Sequence, residues 1–406
     1  MTRSRVVTLF VTPLFLTAGL MFDIATAAPA YKIDAVSSTS TPIRIGSSAL
    51  QNDGRLLVEI ERDIDMSRCP VGTTDSQVVL GCGRSSTRTM GLVGTVGSTT
   101  TPIPYDFTKR AIRSNNNGLV VSWPLDADGY ESAAPTQDAT QYTAVTNTSQ
   151  GAFASSGVTL PLPTNTSGTT ARYDWWLLSN SGHLVGQLSN GPTDMSLAIW
   201  SGKAAPNLLP APAGYRLSRA VGVNASQQVA VNTYRVVNGT FNSRAALAKG
   251  TQIKNLPLPL FTSYSDSKAV AINDKGDVVG TMYSDAGGRA LLWRYGLTIN
   301  LGTLPGYSDS VALGLTSTGK VLACAYNQNV FNPAPQPAQL FIWDQGVRTP
   351  WSKAVTVPAD VYVPDSCSSA YIGYQRAAEY QQAVLSNQQG QLLLYGYFPL
   401  LLSPLK

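Results

Sequence analysis

Ala271-Ile-Asn-Asp-Lys-Gly-Asp-Val-Val-Gly280 is the stretch whose reading decides the fold. Two apolar residues enter an Asn-Asp-Lys-Gly turn and an apolar run leaves it. A short hairpin turn of this kind needs positive φ, which Gly supplies without steric cost. The stretch therefore reads as two strands folded back on each other.

Six further copies follow the same plan. They are Ala49-Leu-Gln-Asn-Asp-Gly54, Ala111-Ile-Arg-Ser-Asn-Asn-Asn-Gly118, Trp176-Leu-Leu-Ser-Asn-Ser-Gly182, Ala220-Val-Gly-Val-Asn-Ala-Ser-Gln227, Ala312-Leu-Gly-Leu-Thr-Ser-Thr-Gly319 and Ala383-Val-Leu-Ser-Asn-Gln-Gln-Gly390, each followed by an apolar run. Gln227 stands where the others have Gly, so a different turn is expected there. A third strand recurs as Leu197-Ala-Ile-Trp200, Ala290-Leu-Leu-Trp293 and Leu340-Phe-Ile-Trp343, with Ala248 in the weaker copy. A fourth follows in Leu297-Thr-Ile-Asn-Leu-Gly-Thr-Leu304. Four strands per unit in seven units is the sequence form of an all-β propeller, with six or eight blades as the neighbouring counts.

The two chain ends fit that plan. Tyr31-Lys-Ile-Asp-Ala-Val36 looks like a fourth strand without a blade, and the last unit has room for only three strands before Leu405. The N-terminal strand is thus expected to complete the last blade and hide two sheet edges. Turn spacing is uneven: 64 residues separate Gly54, Gly118 and Gly182, then come gaps of 45, 49, 43 and 71. A blade needs about 40–50 residues, which leaves insertions near 62–105, 124–170 and 345–380. Long insertions on a rigid scaffold are where function concentrates.

Arg289-Ala-Leu-Leu-Trp293, Leu301-Gly-Thr-Leu-Pro-Gly306 and the Ala271–Gly280 stretch together resemble the bacterial extracellular HAF-repeat proteins, most clearly over 271–323. That family typically has His-Ala-Phe where this chain has Arg289-Ala290-Leu291. The resemblance implies secretion and a propeller-like β-fold. It brings no catalytic residues to carry over.

Residues 1–30 read as a secretory signal peptide. Arg3 and Arg5 precede an apolar run, and small residues permit cleavage after Ala27 or Ala30. Residues 31–406 then form one domain, placed outside the cell or in a periplasm. No later apolar run has the length of a membrane helix; the tail from Leu392 reads as buried strand. The net charge is +5, without the clustered basic run that nucleic-acid binding calls for. Only four glutamates occur among abundant Ser, Thr, Gly and Pro, a balance that favours strands and turns over helices.

Cys69, Cys82, Cys324 and Cys367 are expected as disulfides in an oxidising compartment. Three pairings are open. The local one, Cys69–Cys82 with Cys324–Cys367, orders the shortest loops, and the short bridge would contribute about 3 kcal/mol. No Cys-x-x-Cys pair exists and His183 is the single histidine, so neither a metal site nor any cofactor is expected.

The recurring Trp200, Trp293 and Trp343 read as packing between blades. Trp123, Trp175, Trp176 and Trp351 lie off the repeat and are better placed to stack on a ligand. Asp126-Ala-Asp128-Gly129 has too few partner ligands for a calcium loop and reads as a turn. Asp274 and Asp277 are explained by hairpin chemistry. His183 lacks a nucleophile motif around it. The third insertion gathers Tyr362, Asp365, Tyr371, Tyr374, Arg376 and Glu379 beside Trp351, a mixture suited to a glycan or peptide. Sequons occur at Asn147, Asn165, Asn224 and Asn238. The function expected is non-enzymatic binding by a monomer, through insertion loops at one mouth of the ring, to a glycan or surface protein. The alternatives are a carbohydrate-active hydrolase or lyase with acids from several blades, and an adhesive structural protein.

Overall fold

The computed structural model describes residues 31–35, 43–65, 67, 71–72, 84–94, 101–103, 109–118, 120–124, 141–147, 153–159, 172–189, 195–201, 206–259, 264–284, 287–327, 338–357, 384–394 and 400–405. The expected signal peptide and the Asp126–Gly129 turn lie outside them.

Among the described residues the strands group into seven antiparallel units. The first is β2 (Ile43–Leu50), β3 (Leu56–Asp65), β4 (Arg84–Val93) and β5 (Thr101–Ile103). The second is two hairpins, β6 (Lys109–Ser114) with β7 (Val120–Pro124), and β8 (Gln141–Asn147) with β9 (Phe153–Thr159). The third is β10 (Arg172–Leu178), β11 (Leu184–Ser189), β12 (Met195–Trp200) and β13 (Asn207–Pro210). The fourth is β14 (Arg216–Val223), β15 (Val229–Val237), β16 (Thr240–Lys249) and β17 (Gln252–Asn255). The fifth is β18 (Asp266–Ile272), β19 (Val278–Ser284), β20 (Gly287–Arg294) and β21 (Leu297–Asn300). The sixth is β22 (Asp309–Leu315), β23 (Val321–Tyr326), β24 (Gln339–Asp344) and β25 (Val347–Pro350).

The seventh blade joins the two chain ends, as the sequence predicts. β27 (Val384–Ser386), β28 (Leu392–Leu394) and β29 (Leu400–Pro404) pair in order, and β1 (Tyr31–Ala35) pairs antiparallel with β29 from Tyr31↔Pro404 to Ala35↔Leu400. A fifth strand was not foreseen. After one helical turn, α1 (Trp351–Ala354), the short β26 (Val355–Thr356) pairs parallel with β1. Both edges of β1 are thereby paired.

The first strands pack in sequence, β2 on β6, β6 on β10, β10 on β14, β14 on β18, β18 on β22 and β22 on β27, and β27 returns to β2. The ring is closed and the fold is a seven-bladed β-propeller. Its core is split into layers between blades, as stacked sheet faces require. One layer joins the sixth and seventh blades through Tyr31, Ile33, Leu313, Ile342 and Leu402; another joins the fifth and sixth through Val279, Leu292, Val321 and Phe341. Trp200, Trp293 and Trp343 are all buried; Trp293 and Trp343 lie in such layers, and the Trp293 indole donates to Pro257 O at 2.7 Å on the preceding blade. They hold one register position, opposite Leu184, Val278 and Val321, and Ala248 opposite Val229 takes it in the fourth blade.

All seven first hairpins close alike, with the amide at the glycine position donating three residues back: Gly54 to Gln51, Gly118 to Asn115, Gly182 to Ser179, Gln227 to Asn224, Gly276 to Asn273, Gly319 to Thr316 and Gly390 to Asn387. The expected exception does not occur. Gln227 takes the same left-handed conformation, with φ 61° against 83° at Gly276, held by the same closing bonds, Gln227 N to Asn224 O and Asn224 N to Gln228 O.

Segments expected as insertions contain regular structure. The span 62–105 includes β4 and β5, the span 124–170 includes β8 and β9, and the span 345–380 begins with β25, α1 and β26.

Candidate functional site: the two ends of the axial channel

The innermost strands line the axis, and what their ends carry decides where a ligand can sit. At the turn end, the first residue of each turn is polar and buried: Gln51, Asn115, Ser179, Asn224, Asn273, Thr316 and Asn387. Asn does two jobs there. In Asn273 the side-chain oxygen accepts the amides of Lys275 and Asp277 at 3.1 and 3.0 Å, while Nδ2 donates to Thr316 O on the next blade at 3.2 Å. The same outward bond runs from Asn387 to Gln51 O at 2.8 Å, Gln51 to Asn115 O at 2.9 Å, Asn115 to Ser179 O at 2.7 Å and Asn224 to Asn273 O at 3.2 Å.

Ser179 and Thr316 have no amide to send across. The next residues along make up the bond: Ser181 donates to Ala225 O at 2.9 Å and Ser317 to Gln388 O at 3.1 Å. A belt of hydrogen bonds thus passes through every blade and returns to its start. Asn116 reaches further and donates to Ser386 O at 2.8 Å, from the second blade past the first to the seventh. The turns of neighbouring blades are tied to one another by their own side chains.

Midway along the strands a second set of bonds recurs. Among the described residues every first strand except β27 has a register irregularity against its second strand, for example between Ala269 and Ala271, and between Ala312 and Gly314. A bulge takes backbone groups out of the ladder. A polar residue of the preceding blade's second strand serves them: Gln187 accepts from Ala220 N at 2.8 Å, Asn232 from Ala269 N at 2.7 Å and Thr281 from Ala312 N at 3.1 Å.

At the other end the stitching runs sideways. Asp266 and Asp309 open the first strands of the fifth and sixth blades. Asp266 Oδ1 accepts from Ser243 N at 2.5 Å, and Asp309 Oδ1 accepts from Gly288 N at 2.8 Å and faces the Arg289 guanidinium at 3.3 Å. A Cβ on Gly287 would overlap the Asp309 carboxylate, which is why that residue is glycine. Ser267 and Ser310 accept from Ala245 N and Ala290 N. These bonds join first strands to the third strand of the preceding blade, away from the axis. Both carboxylates are committed to scaffold.

Sequence reasoning missed this set, although its signal was in view. Tyr264-Ser-Asp-Ser267 and Tyr307-Ser-Asp-Ser310 are identical, and each stands the same distance before its turn. Starting the repeat at Ala271 cut them off. Asp274 and Asp277 likewise do more than close a hairpin. Asp274 accepts from Ala225 N on the fourth blade at 2.8 Å, and the buried Asp277 pairs with Arg294 at 2.9 Å while Arg294 also donates to Gly319 O.

Strand direction fixes which end carries the insertions. A first strand runs toward the turn belt and the second runs away from it. Connections between second and third strands, and from one blade to the next, therefore lie at the far end. Segments 66–83 (between β3 and β4), 125–140 (between β7 and β8) and 357–383 (between β26 and β27) all leave from that end.

The seven innermost strands carry eight basic residues, Arg44, Lys109, Arg110, Arg113, Arg172, Arg216, Arg219 and Lys268, against three acidic ones, Asp174, Asp266 and Asp309. That excess alone equals the net charge of the whole chain, +5. All the basic positions except Arg113 fall in the half of the strand remote from the turn.

Of the residues picked from the sequence for ligand contact, Trp123 lies on β7, Trp175 and Trp176 lie on β10, and Trp351 opens α1. The side chain of Trp351 is described. It is 8 % exposed in the apolar layer between the sixth and seventh blades, so its ring packs as core. Tyr362, Asp365, Tyr371, Tyr374, Arg376 and Glu379 lie outside the described residues, as do Cys69, Cys82 and Cys367. Cys324 is buried and disulfide-bonded. His183 sits in its turn, its Nδ1 buried without a hydrogen-bond partner and its pKa lowered by burial. Asn224, one of the sequons, is 1 % exposed within the belt, whereas Asn238 is exposed at a hairpin tip. Among the described residues no three metal-ligating side chains gather, and no helix is long and apolar enough to cross a membrane.

No family model and no curated protein matches this chain. Solved structures similar to it include the β-propeller domain of the Trilobed protease from Pyrococcus furiosus, described as having an open velcro topology (9 % identity, TM-score 0.41, covering 76 % of this chain and 81 % of that one). Another is the acylaminoacyl peptidase of Pyrococcus horikoshii (11 %, 0.42, 82 % and 46 %). A third is TolB from Acinetobacter baumannii (13 %, 0.32, 71 % and 60 %). The chain spans less than two thirds of the length of the last two. The propeller assignment rests on this chain's own strand pairing and ring closure.

Proposed function

We propose that this chain is a secreted binding propeller of the HAF-repeat type, non-enzymatic, holding its ligand at the end of the ring from which the insertions leave. One observation carries the reading: the turn end is tied off by a continuous hydrogen-bond belt, and the three long connections all depart from the opposite end. A hydrolase needs free acids converging at that mouth. The described acids of the fifth and sixth innermost strands are already spent on amides and, for Asp309, on Arg289. Signal-peptide cleavage after Ala27 or Ala30 would place the protein outside the cell or in a periplasm, where Cys324–Cys367 and Cys69–Cys82 would pair.

The test is a glycan and peptide array probed with residues 31–406, followed by a turnover assay on every hit. Binding without turnover, lost when segment 357–383 is replaced by a short Gly-Ser linker, supports the reading. Cleavage of the hits, or binding that survives replacement of each of the three segments in turn, overturns it. Non-reducing peptide mapping checks the cysteine pairing.

A further inference from the structure

We infer that Asn238, at the tip of the β15–β16 hairpin, is a site of spontaneous modification. Its side-chain amide cyclises onto the Gly239 backbone nitrogen, and water opens the ring to aspartate or isoaspartate. The inference goes beyond the binding reading and does not depend on it.

Asn precedes Gly three times in the chain, at Asn117-Gly118, Asn190-Gly191 and Asn238-Gly239. A glycine after asparagine leaves the attacking nitrogen unscreened by any side chain of its own. Asn190 and Gly191 lie outside the described residues. The two described pairs sit in opposite surroundings.

Asn117 is clamped within the turn belt. Its Oδ1 accepts from Asn52 on the first blade at 3.2 Å, and its Nδ2 donates to Asn180 O on the third at 2.7 Å. The Gly118 amide donates to Asn115 O at 3.1 Å. Cyclisation there must first break these bonds.

Asn238 is held by none of this kind. It and Gly239 are exposed in the turn beyond the Val237↔Thr240 pair. Among the described residues no hydrogen bond reaches the Asn238 side chain or the Gly239 amide. The space that a Cβ on Gly239 would enter is open. The hairpin also runs past the last pairing of β14, at Tyr234, and of β17, at Ala246. Its tip is therefore held only by its own ladder, and such tips open at little cost. Turn geometry alone does not call for asparagine here. Asn238 and Gly239 have φ 51° and 78°, and Tyr295-Gly296 makes a like turn at 52° and 78°.

The step balances without any further reactant than water. The Gly239 nitrogen loses its proton to solvent base and bonds to Asn238 Cγ, and Nδ2 leaves as ammonia. Water then cleaves one of the two C–N bonds of the succinimide. Cleavage on the side-chain side gives aspartate; cleavage on the main-chain side gives isoaspartate and routes the backbone through Cβ. Either product puts a carboxylate on the hairpin tip at the insertion end.

The test is incubation of unglycosylated protein, residues 31–406, at mildly alkaline pH, folded and in guanidinium chloride. Peptide mapping follows the mass gain of replacing NH by O, and electron-transfer fragmentation identifies isoaspartate. In the folded protein Asn238 should convert at least about tenfold faster than Asn117, and faster as pH rises. In guanidinium chloride the two should react at similar rates. N238Q should abolish the change in its peptide. The inference is overturned if folded Asn238 stays an amide over the time in which both pairs react in guanidinium chloride. It is also overturned if folded Asn117 reacts as fast as Asn238.

Discussion

Gln227 holds a left-handed conformation that six glycines hold elsewhere in the ring, and this has a measurable cost. An L-residue there is strained by about 1–2 kcal/mol, partly offset by the chain entropy a glycine loses on folding. Gln227→Gly is expected to raise stability by roughly 0.5–1 kcal/mol, read as a shifted denaturant midpoint at constant m-value. Asn387 lies at the opposite extreme. Its side chain serves the Gln389 and Gln391 amides and Gln51 O while 2 % exposed. Asn387→Ala leaves those groups buried and unpaired and should cost about 3 kcal/mol. Asn387→Ser keeps the local acceptor, as Ser179 does, and should cost about half as much.

Tyr31 gives the closing blade a pH signature. Burial first, and then the nearby Asp344 carboxylate, raise its pKa from 10 to about 12. The folded state therefore binds the phenol proton more tightly than the unfolded chain does. This stabilisation is complete below pH 10 and is lost as pH climbs from 10 to about 12, to a total of about 3 kcal/mol. Tyr31→Phe should remove that alkaline loss, leaving a flatter stability profile in urea titrations between those pH values. His183 acts in the opposite direction. Its lowered pKa favours the neutral ring in the fold, so its small contribution is present above pH 6.5 and fades below it.

At the scale of strands and blades, much was legible beforehand, for a physical reason. The apolar–turn–Gly–apolar pattern is local, and local pattern fixes hairpins and their register. Periodicity alone predicts packing roles for Trp200, Trp293 and Trp343; all three are buried, Trp293 and Trp343 between blades. The pairing of Tyr31–Ala35 with Leu400–Pro404 followed from counting strands at both ends. What escaped were bonds between blades. Gln187, Asn232 and Thr281 share a position but not a side chain, since any acceptor of suitable reach serves a bulged amide. The Tyr-Ser-Asp-Ser motif lay outside the frame in which the repeat was read. The parallel strand Val355–Thr356 is too short for any periodicity to announce. Trp351 was placed as a ligand platform because it is not periodic, yet a non-periodic residue can still fill a core where two blades meet.

Across the whole molecule, the two ends of the ring are unlike. One is tied by side chains that pass from blade to blade through all seven turns. The other carries the long connections. Both properties depend on a ring closed by β1, which makes β1 the keystone of the stability as well as of the site. Ile33→Pro, a substitution in the fully buried centre of that strand, removes a ladder donor and should unfold the closing blade and expose the β29 edge, with aggregation as the readout.

Closure is tested most directly by hydrogen–deuterium exchange of residues 31–406 under native conditions. The predicted result is that amides of Tyr31–Ala35 exchange as slowly as those of Leu400–Leu402 and of the central strands, opening only with global unfolding. Exchange of Tyr31–Ala35 within seconds, while the strands of the other blades stay protected, would contradict the closed ring and the one-mouthed site built on it.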